Sequence, residues 1–248
     1  PALIDEQGKY LVDKYTIQTA PSIQVLDLTR EIKRRQSNQA NNSQALIVGN
    51  PTMPTVEIEA GKPPVQLTNL PSSEQEAEKI ATLLKTQALT GNKATKAAIV
   101  QRMELASIIH LATHGILDNI RGLGSALAFT PSGNDNGLLT ADEILNLPLT
   151  ATDMVVLSAC NTGRGRITGD GVIGLSRSFI SAGVPSVVVS LWAVPDDATA
   201  FLMTEFYQNY LEKKLDKATA LQKAMQTTKL KYPNPRQWAA FTLIGEAG

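Results

Sequence analysis

Hydrophobic positions along this chain follow two rhythms. From residue 45 onward, short apolar runs alternate with stretches of helical period. The runs are Ala45-Leu46-Ile47-Val48, Ser107-Ile108-Ile109-His110-Leu111-Ala112-Thr113, Met154-Val155-Val156-Leu157-Ser158-Ala159-Cys160, Ser186-Val187-Val188-Val189-Ser190-Leu191-Trp192 and a last one from Ala239 to Ile244. They are short, and Gly or Pro bounds several of them, as with Gly49-Asn50-Pro51 and His114-Gly115, so strands fit better than helices. Between them, Ala77, Ile80, Ala81, Leu84 and Ala88 fall on one helical face. Further helices are predicted from about Thr95 to Glu104, Val172 to Ala182, Ala198 to Lys213 and Asp216 to Leu230. Ser73-Glu74-Gln75-Glu76 and Thr140-Ala141-Asp142-Glu143 have the form of capping boxes, Asp197 is placed to cap its helix, and Gly183 to end another. Ala126 to Phe129 and the turn-rich Ser132 to Gly137 predict a hairpin-like excursion.

The first 44 residues read differently. Tyr10 to Ile17 and Ile23 to Leu26 alternate, with a turn at Gln7-Gly8, and predict an N-terminal antiparallel hairpin. A polar helix around Asp27 to Arg35 and a solvated loop of Gln, Asn and Ser from Gln36 to Gln44 follow. The expected architecture is a single α/β domain over 1–248: a largely parallel central sheet with helices on both faces, onto which 1–44 packs. Sheets of this kind place their chemistry outside the carboxyl ends of the strands. His114 and Cys160 both occupy such ends.

Composition narrows the options. With 23 Lys+Arg against 23 Asp+Glu, the chain lacks the basic surplus expected of a nucleic-acid or anionic-membrane binder. No apolar stretch reaches the roughly 18 residues of a spanning helix, and no secretory signal opens the chain. One cysteine and two histidines, His110 and His114, allow neither an intrachain disulfide nor the usual zinc sets. Neither metal nor cofactor is expected, and the reducing cytoplasm is the default location. The chain begins at Pro1 rather than methionine, so a longer protein is expected around it.

A thiol is the best nucleophile available near neutral pH, because an ordinary cysteine of pKa about 8.5 is already a few per cent thiolate. Amide cleavage also needs a proton for the departing amine, which a nearby His can supply, and donors facing the developing oxyanion. Gly115 beside His114 and Asn161-Thr162-Gly163 beside Cys160 leave room for such donors. The residues alone leave other readings open. A lone Cys in an apolar strand is often a small buried hydrophobe, and His110, between Ile109 and Leu111, reads as a core residue. The glycines from Gly163 to Gly174 follow a strand and precede a helix, as in a phosphate cradle. Their spacing matches neither nucleotide fingerprint, and no G-x-S-x-G elbow occurs.

His110-Leu111-Ala112-Thr113-His114-Gly115, Gly137-Leu138-Leu139-Thr140-Ala141-Asp142-Glu143-Ile144, Leu157-Ser158-Ala159-Cys160-Asn161-Thr162-Gly163, Gly169-Asp170-Gly171-Val172-Ile173-Gly174-Leu175, Ser190-Leu191-Trp192-Ala193-Val194 and Trp238-Ala239-Ala240-Phe241-Thr242-Leu243-Ile244-Gly245 together resemble the CHAT domain family. These relatives of caspases and separases often follow tetratricopeptide repeats. The resemblance implies a caspase-like three-layer α/β sandwich and a cysteine endopeptidase acting on a protein or peptide. It implies a dyad of His114 and Cys160 and an oxyanion hole from the backbone of Gly115 and Cys160. It also points to an upstream tetratricopeptide-repeat region or regulatory partner. The alternative is a catalytically degenerate domain that serves as an interaction or regulatory module. By analogy with caspases, the loop after Trp192 borders the primary specificity pocket. There Asp196 or Asp197 would hold a Lys or Arg before the cut, and Trp192 is either pocket wall or core. Ser158 stands where metacaspases carry an acid, which removes one support for a basic pocket. Arg164 and Arg166, in the loop after the nucleophile, are candidate self-cleavage positions.

Overall fold

The computed structural model describes residues 1–37, 44–57, 61–116, 124–158, 160–161 and 169–248. In chain order the elements are α1 (Leu11–Lys14), β1 (Gln18–Thr19), α2 (Ile23–Ser37), β2 (Ala45–Pro51), β3 (Thr55–Val56), β4 (Val65–Gln66) and α3 (Pro71–Leu83). Then come β5 (Ala88–Gly91), α4 (Lys96–Met103), β6 (Ile108–Ala112), β7 (His114–Ile116), β8 (Ala126–Ala128), β9 (Leu138–Thr140) and α5 (Ala141–Leu145). The rest are β10 (Met154–Leu157), β11 (Cys160–Asn161), α6 (Gly169–Ser181), β12 (Ser186–Ser190), α7 (Asp196–Leu211), α8 (Lys217–Lys231), a 3-10 turn at Pro235–Gln237 and β13 (Phe241–Gly245).

A seven-stranded sheet runs in the order β1-β13-β12-β10-β6-β2-β5. Its neighbours are parallel except at the β12/β13 step. Because successive strand residues face opposite sides, the apolar runs divide cleanly. Leu46, Val48, Ile109, Leu111, Val155, Leu157, Val187 and Val189 meet Ile99 and Met103 of α4, Ile144 of α5 and Phe179 of α6. Ile47, Met154, Val156, Val188 and Leu243 meet Ile80 of α3, Phe206 of α7 and Leu221 of α8. The result is the expected α/β sandwich with helices on both faces. No helix among the described residues is long and apolar enough to cross a membrane.

Four expectations are corrected. The N-terminal antiparallel hairpin is not found among the described residues. Ile4 does bridge Tyr10 across the Gln7-Gly8 turn, but Tyr10 to Ile17 holds a helical turn, in which the Tyr10 N–H donates to Asp13 at 3.2 Å. Only Val12 of that turn is buried, and Gln222 and Gln226 of α8 hold its carbonyl. Ile23 to Leu26 is instead the start of α2, where the Ser22 hydroxyl accepts from the Val25 N–H. Second, Gln36 and Ser37 of the expected loop belong to α2, and the Gln36 amide donates to the Thr150 and Thr152 carbonyls; residues 38–43 of that loop lie outside the described residues. Third, Ala88 is not on a helix: Lys85, with φ of 54°, ends α3 and the chain turns into edge strand β5. Fourth, α3 starts at Pro71 with Leu70 at its N-cap, so Ser73 sits inside the first turn and its capping box does not form. The box at Thr140 does form, with Thr140 Oγ1 accepting from the Glu143 N–H and Glu143 accepting from the Thr140 N–H.

Candidate active site

The strands β2, β6, β10 and β12 point the same way, so their carboxyl ends share one rim of the sheet. At that rim the chain leaves the sheet twice. After Ala112, buried Thr113 turns it aside, its hydroxyl donating to the Ala128 carbonyl of β8. His114 then opens β7, which belongs to a second, four-stranded sheet in the order β11-β7-β8-β9. After Leu157 and Ser158, the chain from the neighbouring strand β10 enters the same sheet as β11. His114 therefore does not continue the strand of His110, and Cys160 does not end the strand of Met154. Both residues stand on strand extensions that have re-paired.

The pairing is parallel and in register, with Cys160 opposite His114 and Asn161 opposite Gly115. Adjacent strands lie about 4.8 Å apart, so the register sets the two residues side by side. His114 is 1% exposed. Its Nε2 lies 2.7 Å from the carbonyl oxygen of Thr68, in the segment between β4 and α3. A carbonyl only accepts, so Nε2 carries the ring proton and, in the neutral imidazole, Nδ1 is the nitrogen able to take another. Gly115 is buried and pairs with Leu127 of β8.

The loop after β12 is held against the body of the fold. Trp192 is half-buried, its indole N–H donating to the Arg236 carbonyl at 2.9 Å, and the Ser190 hydroxyl donates to the Trp192 carbonyl at 2.6 Å. The two candidate acids differ. Asp196 accepts from the Ser72 N–H and the Ser73 hydroxyl, each at 2.8 Å, and so ties the start of α7 to the start of α3. Asp197 is exposed and accepts the Tyr232 hydroxyl at 3.2 Å. Asp197 does not cap α7, because the helix begins at Asp196 with Pro195 at its N-cap. Both carboxylates lie in the first turn, where the helix dipole favours them. Residues 162–168, with Arg164 and Arg166, lie outside the described residues.

Beneath the rim, three polar side chains meet in the apolar layer between the sheet and α3 and α7. His110 and Glu76 are fully buried, with Nε2 of His110 2.9 Å from Glu76 Oε1. The approach is close but not aligned as a hydrogen bond. Tyr207 OH lies 3.3 Å from His110 Nδ1. Burial, then the nearby Glu76 charge and Tyr210, push the Tyr207 hydroxyl well above its ordinary value, so it stays protonated and donates to Nδ1. The ring proton of His110 is thereby placed on Nε2, facing the carboxylate. In the sequence Glu76 has the position of a capping residue, although Ser73, Glu76, Ala77, Ile80 and Ala81 share the helical spacing of the buried face. Thr68 acts through its backbone, which gives no side-chain signal. Among the described residues no group of His, Cys, Asp and Glu is arranged to hold a metal ion.

A family model described as the CHAT domain matches residues 1–246. Tetratricopeptide repeat protein 28 of Mus musculus is 29% identical over 281 residues, covering 96% of this chain and 11% of its own length. The Homo sapiens protein of that name gives the same identity and coverage. The chain thus spans about a tenth of these curated relatives. Among solved structures, the Arg-specific cysteine proteinase gingipain R of Porphyromonas gingivalis superposes with a TM-score of 0.61 at 12% identity, over 92% of this chain and 53% of its own. The Saccharomyces cerevisiae separase–securin complex gives 0.58 at 15% identity, over 96% of this chain and 14% of the matched one. At these identities the likeness is one of fold, and that fold is caspase-like.

Proposed function

The chain belongs to the CHAT domain family, and from that premise we propose that it is a cysteine endopeptidase cutting a protein partner. Cys160 is the nucleophile and His114 the acid–base. The observation that carries this reading is the in-register pairing of Cys160 with His114 on two strands that leave neighbouring positions of the central sheet. Transfer of the thiol proton to Nδ1 of His114 gives a thiolate, which adds to the scissile carbonyl carbon. Because Thr68 holds the Nε2 proton, the same Nδ1 returns a proton to the leaving amine. The backbone N–H groups of Gly115 and Cys160 are the proposed oxyanion donors; losing one such donor elsewhere costs about 10²–10³-fold in rate. Water then hydrolyses the thioester.

A weak preference for a basic residue before the cut belongs to the same proposal. Gingipain R, a neighbour in fold, is described as Arg-specific. Asp196 has both oxygens engaged by α3, so Asp197 is the acid left accessible at this loop, and Trp192 is the proposed wall of the pocket at the cut. Cytoplasmic residence suits a catalytic thiol kept reduced. An attached tetratricopeptide-repeat region is proposed from the curated relatives.

Those relatives also support a second reading, a CHAT domain that recruits partners without cutting them. A thiol-directed peptide probe separates the two. The peptidase reading expects labelling of Cys160 that is lost in Cys160→Ala and strongly reduced in His114→Ala, with the fold retained by circular dichroism. Cleavage of a native partner by Cys160→Ala at the wild-type rate would sink it. Absence of labelling while partner binding persists favours the recruiting domain.

A further inference from the structure

Between α3 and α7, reaching the end of α8, runs a groove of about 580 Å³. This volume falls within the roughly 300–1,000 Å³ typical of ligand sites. Its lining includes an edge-to-face pair of aromatic rings, Phe201 and Tyr232, with centroids 6.0 Å apart. Over them lies a cation of the protein's own: Lys231 Nζ is 4.5 Å from the Phe201 centroid and 5.2 Å from that of Tyr232. Asp197, oriented by the Tyr232 hydroxyl at 3.2 Å, and Glu205 line the same groove. Lys79 is its other basic residue.

We propose that this groove is a docking subsite for an arginine or lysine side chain of the protein substrate. The incoming cation displaces Lys231 from the ring faces and takes Asp197 and Glu205 as counter-charges. The ring faces carry negative potential and attract cations, and Lys231 marks the position such a cation takes. Lys231 is exposed, so it can swing into water. With it gone, two carboxylates face one lysine, and the groove favours positive charge. An arginine suits it better than a lysine, because a planar guanidinium both stacks on a ring and pairs with a carboxylate.

Position links the groove to His114. Ser72 is part of its lining, and Thr68, four residues earlier in the chain, holds His114. Four residues span at most about 14 Å, so a segment lying in the groove reaches the neighbourhood of His114 within a few extended residues. The groove therefore selects a basic residue at a distance from the cut, as a second determinant beside the pocket at the cut itself. The substrate assignment rests on the peptidase reading, whereas binding in the groove can be measured without turnover.

The test uses the full chain as Cys160→Ala and the fluorescence anisotropy of labelled ten-residue Gly/Ser peptides carrying one central Arg, Gln or Glu. The Arg peptide is expected to bind at least fivefold more tightly than the Gln peptide. Asp197→Asn and Phe201→Ala should each weaken it several-fold. Lys231→Met is the decisive variant: removing the resident cation should tighten the Arg peptide about two- to fivefold, the size of an exposed cation–ring interaction. Equal affinity for the three peptides, no measurable binding of any, or weaker Arg binding in Lys231→Met overturns the proposal. Preference for the Glu peptide, lost in Lys231→Met, shows instead a site for acidic segments. Arg-dependent binding in a protein that never labels at Cys160 rejects the peptidase and keeps the groove.

Discussion

Replacing His110 with leucine isolates the energetics of the buried His110–Glu76 pair beneath the rim of the sheet. Glu76 is fully buried, and neither of its carboxylate oxygens accepts a hydrogen bond among the described residues. Its electrostatic partner is the His110 ring, with Nε2 at 2.9 Å. His110→Leu keeps the volume roughly constant and leaves a carboxylate in an apolar layer. Removing one member of a buried pair costs about 3–5 kcal/mol. Glu76→Met removes the other member but leaves a neutral imidazole still bonded to Tyr207; the orphaned N–H costs about 1–3 kcal/mol. The double variant deletes both polar groups, and buried polar pairs replaced by apolar side chains are neutral or gain about 1–4 kcal/mol. The expected order of stability is therefore double variant at or above wild type, then Glu76→Met, then His110→Leu. For a chain of this size 1 kcal/mol moves Tm by about 2–4 °C, so His110→Leu should melt roughly 6–20 °C lower. Urea unfolding followed by fluorescence of buried Trp238 and by far-ultraviolet dichroism gives the free energies. A His110→Leu variant within about 1 kcal/mol of wild type, or a double variant as unstable as His110→Leu, would refute the reasoning.

Three further outcomes are expected. Asp196→Ala removes both bonds that tie α7 to the start of α3 and leaves the buried Ser73 hydroxyl without its carboxylate. It should lower urea stability by about 1–2 kcal/mol, in the range of a lost helix cap, and unchanged stability would return Asp196 to the candidates for substrate binding. Gly49→Ala places a Cβ against the Ser73 carbonyl and Ala77 Cβ, neither of which can swing away. About 1–3 kcal/mol of overpacking should appear in the same assay; no loss would mean that α3 can shift outward. Lys217 is 1% exposed, and burial holds its ammonium below the ordinary value of 10.5, opposed in part by Asp153 at 3.2 Å and reinforced by the charge of Lys33. Between its folded value and 10.5 the unfolded chain holds the proton that the folded chain has released, so stability rises with pH across that window. Lys217→Met should flatten that rise in a Tm series approaching pH 10.5, and an identical slope in wild type and variant would count against the linkage.

How much of this was legible in the sequence depends on whether the signal was local. The central strands announced themselves because each apolar run had to satisfy both helical layers, and nothing in tertiary packing overrode it. The two capping boxes had the same local form, yet only Thr140 formed one. There β9 delivers the chain extended, with φ of −79° and ψ of 158° at Thr140. Two residues before Ser73, Pro71 takes the first helical position, where its fixed φ and missing N–H fit; the helix therefore begins early and turns Glu76 inward. At the N-terminus, the alternation of Tyr10 to Ile17 read as a strand, but a strand buries every second residue against a sheet. Here Val12 alone is buried, and α8 supplies hydrogen bonds to its carbonyl, so a single helical turn suffices.

The site divides along the same line. Residue type and Gly neighbours singled out His114 and Cys160, because chemistry of that kind needs a thiol, an imidazole and room for backbone donors. Their mutual placement arises from β6 and β10 being neighbours and from both chains leaving the sheet after one more register step, a non-local fact that no period records. The proton position on His114 comes from the Thr68 carbonyl, supplied by a segment whose side chains are irrelevant to it. Asp196 and Asp197 were equivalent in sequence, adjacent acids before a helix. The fold separates them: helical geometry turns consecutive residues by about 100°, so one carboxylate meets the start of α3 while the next faces Tyr232 and open solvent. A charge whose two oxygens are already bonded inside the protein offers little to a substrate, whereas Asp197 keeps an accessible one. The same turn of helix that ties α7 to α3 thus leaves one acid exposed beside it.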